Sequence, residues 1–236
     1  MNMKNNFNFL GFILIIFLVS CSSSEEEQIS EEQTLLGSTQ IGLIDDQRIL
    51  DAESEPGNWL AHGRTYEERR FSPLKGINKE NVSELGLVWS KDMGTNRALE
   101  ATPIVVDGIM FFTSTWSRVY AVDALTGETI WKFDPKVPGE WARKACCDIV
   151  NRGVAVYNGK VYSASLDGRL FAINAETGEL VWEVDTIIDR TRSYTITGAP
   201  RVAKGKVYIG NGGAEYGVRG YAVSYTHLTL PTILLV

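Results

Sequence analysis

The sequence predicts an all-β fold, a partial β-propeller of about three blades. Two observations carry this prediction. Ala121-Val122-Asp123-Ala124-Leu125-Thr126-Gly127-Glu128-Thr129-Ile130-Trp131 recurs roughly 50 residues later as Ala172-Ile173-Asn174-Ala175-Glu176-Thr177-Gly178-Glu179-Leu180-Val181-Trp182, and self-similarity at that period marks a stacked repeat. Each copy closes a unit of short β-rich runs divided by turn dipeptides. Four short antiparallel strands per period make a propeller blade, here with a tryptophan to dock each blade on the next.

The elements follow in chain order. Met1 to Asn8 carries one lysine, Phe9 to Val19 is an apolar run too short to span a bilayer as a stable helix, and Leu18-Val19-Ser20-Cys21 resembles a bacterial lipoprotein cleavage box. Residues 1–21 are therefore expected to be an export signal, with Cys21 the lipidated first residue of the mature chain. Residues 22–39, rich in serine and glutamate, are expected to form a flexible tether. Such a chain would be periplasmic and anchored as a lipoprotein, in a compartment where disulfides persist.

Residues 40–92 form a segment before the first complete blade. Asp46 to Glu53 suits a short helix that Glu55-Pro56-Gly57 ends, and Asn78 suits the N-cap of a second short helix reaching Leu85. Leu87-Val88-Trp89-Ser90 reads as an outer strand that closes the ring against the missing last blade. Blades occupy 93–223. The first has runs at Thr102 to Val106, Ile109 to Thr115, Arg118 to Val122 and Ile130 to Phe133; the second at Val154 to Tyr157, Val161 to Leu166, Leu170 to Ile173 and Leu180 to Val184. A third unit runs through Ala199 to Val202, Val207 to Gly210 and Gly217 to Val223. There Tyr221-Ala222-Val223 should lead into another acidic-Thr-Gly-Trp segment, and residues 224–236 do not supply one. Val223 to Thr232 resembles the translation of a sequencing-library adapter, so 224–236 is expected to be an artefact on a truncated gene.

Composition bounds function loosely. A net charge of -6 argues against nucleic acid as a partner. Cysteine is spent only on Cys21, Cys146 and Cys147. A neighbouring pair that oxidises closes a small ring through its own peptide, a geometry that a fold tolerates only where something holds it, so Cys146-Cys147 marks a site.

The blade register locates that site. Glu100 lies seven residues before the first-turn residue Asp107, Arg152 six before Asn158, and Thr197 seven before Lys204. All three sit where an innermost strand begins, and innermost strands surround the propeller axis, so the three converge at one axial end. The turn Asn211-Gly212-Gly213-Ala214-Glu215 returns to the same end. Arg152 and Thr197 suit a ligand carboxylate, Gly212 and Gly213 let backbone approach a flat ligand, and Glu215 suits a hard cation. Taken singly, Arg152 reads equally as a structural ion-pair residue, the glycines as a bulge and Glu215 as a solvated carboxylate. Their joint placement favours a binding site for a planar, anionic, metal-bound ligand.

Glu100-Ala101-Thr102-Pro103, the run Cys146 to Gly153 (CCDIVNRG), Thr195 to Pro200 (TITGAP) and Gly210 to Gly220 (GNGGAEYGVRG) resemble the pyrroloquinoline quinone (PQQ)-dependent alcohol dehydrogenases, over about Asp45 to Val223. The resemblance implies an eight-bladed propeller of which this chain holds about the first three blades. It implies that Cys146-Cys147 is a disulfide stacked on one face of the quinone, that Arg152, Thr197 and the Gly212, Gly213 and Ala214 backbone hold its polar edge, that Glu100 hydrogen-bonds it, and that Glu215 ligates calcium or a lanthanide. The cation would act as a Lewis acid on the quinone carbonyl, and an aspartate base would take the proton as hydride leaves a primary alcohol to give an aldehyde. That base, the asparagine metal ligand and any haem c domain would lie beyond Val223. No catalytic residue is therefore assigned here, and the fragment is expected to be inactive alone. A c-type cytochrome is the implied periplasmic electron acceptor. The alternative is a non-enzymatic propeller lipoprotein acting as an outer-membrane assembly scaffold, for which Cys146-Cys147, Arg152 and Glu215 have no use.

Overall fold

The computed structural model describes residues 41–226, and the expected signal and tether, like the end of the tail, lie outside them. Within this range the chain forms three antiparallel sheets. The first joins β1 (Ile104–Val106), β2 (Ile109–Thr113), β3 (Val119–Asp123) and β4 (Thr129–Phe133) in that order. The second repeats it with β5 (Ala155–Tyr157), β6 (Lys160–Ala164), β7 (Arg169–Asn174) and β8 (Leu180–Asp185). The third holds β9 (Arg201–Ala203), β10 (Lys206–Gly210) and β11 (Ala222–Thr226). The sequence repeat is thus a structural one down to its irregularities: the β3–β4 ladder shifts register at Ala121/Val122 and the β7–β8 ladder at the matching Ala172/Ile173.

The sheets are blades of a propeller. The Trp131 indole N–H donates across the boundary to the Ala175 carbonyl at 2.9 Å, and Phe133 packs on Phe171 with ring centroids 5.4 Å apart. One continuous apolar core runs through all three blades, with Phe111, Val119, Val161, Tyr162, Leu170 and Val207 fully buried. Each such side chain contributes roughly 1.5–3 kcal/mol relative to exposure.

The N-terminal segment seals the axial end formed by the first turns. Helix α1 (Asp46–Leu50) is capped by Asp45, whose side chain accepts from the Arg48 amide. It is joined to all three blades: Arg48 pairs with Asp107 at 2.6 Å, the Ile44 carbonyl accepts from Asn158 N–H at 2.8 Å, and the Asp46 carboxylate accepts from Lys204 N–H at 2.9 Å. Burial pushes the Asp46 carboxyl up, but hydrogen bonds from Tyr66, Lys204 and Tyr157 outweigh it and leave it below the usual aspartate range. Trp59 then pairs antiparallel with Val105 along the free edge of the innermost strand of the first blade.

Three expectations are corrected. The helix at Asp46 ends at Leu50 and passes into a 3-10 turn, Ala52–Ser54. The helix from Asn78 to Leu85 is only the 3-10 turn Val82–Glu84, because Ile77, Val82 and Leu85 are all exposed and no buried face offsets the cost of nucleation. Leu87 to Ser90 has no ladder partner among the described residues, and the last blade of the ring, its expected partner, is not among them. Trp89 nevertheless docks on the first blade as Trp131 docks on the second, its N–H donating to the Ala124 carbonyl at 3.2 Å. The last strand begins at Ala222, not Gly217, and runs through Thr226, with Tyr225 buried. Lys206 faces Thr226 as Ile109 faces Asp123 and Lys160 faces Asn174, so the third blade's register lies two residues further on than Tyr221-Ala222-Val223 suggests. A shift of two leaves every side chain on its own face, so alternation alone does not detect it.

Candidate binding site at the axial face

The site is built where the innermost strands begin. The Arg152 amide donates to the Thr197 carbonyl at 2.9 Å, and the Arg152 carbonyl accepts from the Thr102 amide at 3.2 Å. Arg152 is thereby tied to the first blade on one side and the third on the other. Its guanidinium reaches both ways as well: Nη2 pairs with Glu100 Oε2 at 3.0 Å, and Nη1 donates to Thr197 Oγ1 at 2.6 Å. The side chains of Arg152 and Glu100 are 41% and 38% exposed, so the pair stands open to solvent and to a ligand. The counting argument that placed these three residues at one end holds in the geometry.

The glycine-rich turn is tied to the same end. Gly212 bridges Thr195, with its amide donating to the Thr195 carbonyl at 2.7 Å. Gly213 has φ +112°, and a Cβ there would collide with the Ser193 carbonyl and the Val218 side chain. Only glycine suits that position, which is buried at the start of the 3-10 turn Ala214–Tyr216, while Gly212 and Ala214 on either side of it are exposed. Glu215 lies in that turn, exposed. Among the described residues no group of three His, Cys, Asp or Glu side chains stands close enough to hold a metal, so Glu215 is at most one ligand of several.

Cys146 and Cys147 are disulfide-bonded to each other and exposed. Their loop is held from below and beside. Ile149, buried with Trp141 and Leu166, anchors it in a small apolar cluster, and its carbonyl accepts from the Trp116 amide at 3.0 Å. Trp116 and Ser117 are both left-handed, and Ser117 Oγ accepts from the Leu166 amide at 3.1 Å. Beside it, Arg97 pairs with Asp148 at 2.7 Å, and that hydrogen bond holds the Asp148 carboxyl below the usual range.

Asn151, buried between the disulfide and Arg152, carried no role in the sequence reading. Its Oδ1 accepts from Thr113 Oγ1 at 2.9 Å and from the Gly153 amide at 3.0 Å, while Nδ2 donates to the Ala164 carbonyl at 2.7 Å. The only sequence signal was a lone carboxamide set between Ile149-Val150 and Gly153-Val154.

Chemically, the face offers a guanidinium fork, a hydroxyl, two carboxylates, bare backbone and a rigid sulfur pair. That is a set for a planar polyanionic ligand.

The chain was compared with known proteins. Residues 59–211 match the model of the PQQ family, the glucose/ethanol/alcohol dehydrogenase β-propeller domain. The chain is 60% identical over 182 residues to the quinohemoprotein alcohol dehydrogenase ADH-IIG of Pseudomonas putida, covering 77% of this chain and 25% of that protein. The solved quinohemoprotein alcohol dehydrogenase of Comamonas testosteroni superposes with a TM-score of 0.78 at 47% identity, over 83% of this chain and 29% of that one. A europium-containing methanol dehydrogenase superposes with a TM-score of 0.76 at 38% identity, over 80% of this chain and 33% of that one. The chain spans about a quarter of the length of the curated relatives it matches.

Proposed function

The chain belongs to the PQQ family of glucose/ethanol/alcohol dehydrogenase β-propeller domains, and from that premise we propose that it supplies half of a quinone site in an enzyme oxidising primary alcohols to aldehydes. The observation that carries the reading is the meeting of Glu100, Arg152 and Thr197 from three blades at one open face, with the exposed Cys146–Cys147 disulfide shortly before Arg152 in the chain. The donor set suits the quinone: Arg152 and Thr197 would bind its carboxylates, the Gly212, Gly213 and Ala214 backbone its polar edge, Glu100 a ring substituent, and the disulfide one flat face. When bound, the quinone supplies a two-electron acceptor and a calcium or lanthanide ion supplies a Lewis acid.

The residues of this chain act by binding and orientation. Arg152 holds negative charge by a planar fork that Glu100 and Thr197 keep from swinging. Glu215 would give the cation one carboxylate, and the remaining ligands and the base that takes the alcohol proton would come from outside the described residues. The three blades alone would therefore be inactive. The relatives' names speak of haem, so a haem c elsewhere in the whole protein, or a separate c-type cytochrome, would receive the electrons. Export to the periplasm and attachment through Cys21 rest on the N-terminal sequence, and replacing Cys21 by Ala would release the protein from the membrane fraction.

The test is reconstitution. Whole apoprotein stripped of quinone and metal is assayed for alcohol-dependent reduction of an artificial acceptor while PQQ and calcium are titrated separately. Activity should require both. Glu215→Ala should weaken metal dependence in a way that excess calcium partly restores, whereas Cys146→Ala/Cys147→Ala should lose quinone retention or electron transfer without rescue by metal. Activity independent of both additions would overturn the reading.

A further inference from the structure

Resting on the quinone reading above, we propose that Asn151 is the positioning residue of the axial site: its buried carboxamide sets the direction in which Arg152 presents its guanidinium to the quinone. The bond joining Arg152 to Gly153 is held at both ends, its carbonyl by the Thr102 amide at 3.2 Å and its N–H by Asn151 Oδ1 at 3.0 Å. The preceding peptide is held too, the Arg152 N–H donating to the Thr197 carbonyl at 2.9 Å, so fixing the second plane fixes the backbone torsion on the carboxyl side of Arg152 and with it the direction of its Cα–Cβ bond.

The carboxamide is itself located by the two neighbouring blades. Thr113 is the last residue of β2 and Ala164 the last of β6, equivalent positions that end the second strands at the site. Asn151 accepts from one at 2.9 Å and donates to the other at 2.7 Å, so it measures the spacing of the first two blades where the ligand would sit. Asn151 is 2% exposed, so these bonds are shielded from bulk solvent. Removing the side chain would leave the Gly153 N–H and the Ala164 carbonyl buried without partners and free the plane to rotate. Arg152 would then lose its hold on Glu100 and Thr197 together, since one direction serves both contacts.

A double-mutant cycle on quinone affinity tests this in the whole protein, with PQQ titrated into calcium-loaded apoprotein and followed by its absorbance. Asn151→Ala and Arg152→Lys should each raise Kd about tenfold or more. If Asn151 acts through Arg152, adding Asn151→Ala to Arg152→Lys should raise Kd less than about twofold further. A purely structural role predicts that the two losses multiply, and that result, or an unchanged Kd in Asn151→Ala, overturns the proposal. Should Asn151→Ala fail to fold, Thr113→Val removes one of the carboxamide's partners at nearly constant volume; a raised Kd that Arg152→Lys abolishes supports the proposal, and a wild-type Kd overturns it. Absence of quinone binding by the wild type would overturn the functional reading and the proposal with it, whereas normal wild-type binding with an indifferent Asn151→Ala overturns the proposal alone.

Discussion

Arg152 and Thr197 are joined twice across a blade boundary, backbone to backbone at 2.9 Å and guanidinium to hydroxyl at 2.6 Å. The first bond belongs to the fold and the second to the site. Thr197→Val separates them, because it keeps the main-chain bond and the side-chain volume while deleting the hydroxyl. Quinone affinity should fall by about 1–2 kcal/mol, roughly 5- to 30-fold, with little change in Tm. A titration of apoprotein with PQQ checks the first, and a thermal melt the second.

The docking of Trp131 depends on a glycine. Gly178 has φ +75° and a Cβ there would meet the Trp131 ring at 2.7 Å, whereas Gly108, with φ +79°, has open space around it. Gly108→Ala should therefore cost only the left-handed backbone term, about 1–2 kcal/mol. Gly178→Ala adds overpacking of about 1–3 kcal/mol to that same term. Melting the two variants side by side should place Gly178→Ala clearly lower; equal melting temperatures would contradict the packing argument.

Trp131→Phe keeps an aromatic ring against Phe111 and Phe133's neighbourhood but removes the N–H that reaches Ala175. The buried Ala175 carbonyl then loses its cross-blade donor, at a cost of about 1–3 kcal/mol. Denaturant unfolding of the whole protein is the measurement, and an unchanged midpoint would show that the indole bond does not contribute.

Asp46 links the N-terminal helix to pH. Its folded-state carboxyl lies below the ordinary value, because Tyr66, Lys204 and Tyr157 donate to it against the opposing effect of burial. A depressed folded value contributes stability that is complete above the ordinary aspartate pKa of about 3.9 and is lost as pH falls through the lower folded value. Asp46→Asn should consequently melt below the wild type at pH 7, and the gap should close as pH is lowered past the ordinary aspartate range. A gap that stays constant between pH 7 and pH 2.5 would remove the carboxylate from the account.

What could be read along the chain was whatever repeats at short range. The acidic-Thr-Gly-Trp segments named the blades because turn dipeptides and alternating apolar residues act locally, and counting back from Asp107, Asn158 and Lys204 brought Glu100, Arg152 and Thr197 to one end. Counting failed in the third blade, where only the β10–β11 ladder distinguishes a register from one two residues away. It failed also at Asn78, whose helix signal has no buried face behind it.

The sequence by itself determined the propeller class, the first two blades and the convergence of Glu100, Arg152 and Thr197, since each follows from periodicity and from position relative to the turns. The tertiary structure alone decided three things: that residues 44–50 seal the opposite axial end through Arg48, Ile44 and Asp46, that Trp89 docks on the first blade through its indole N–H, and that Asn151 braces the peptide after Arg152. The physical reason is the same in each case. A hydrogen bond between residues such as Asn151 and Thr113, 38 positions apart, leaves no local pattern, and its partners are chosen only when the blades have packed.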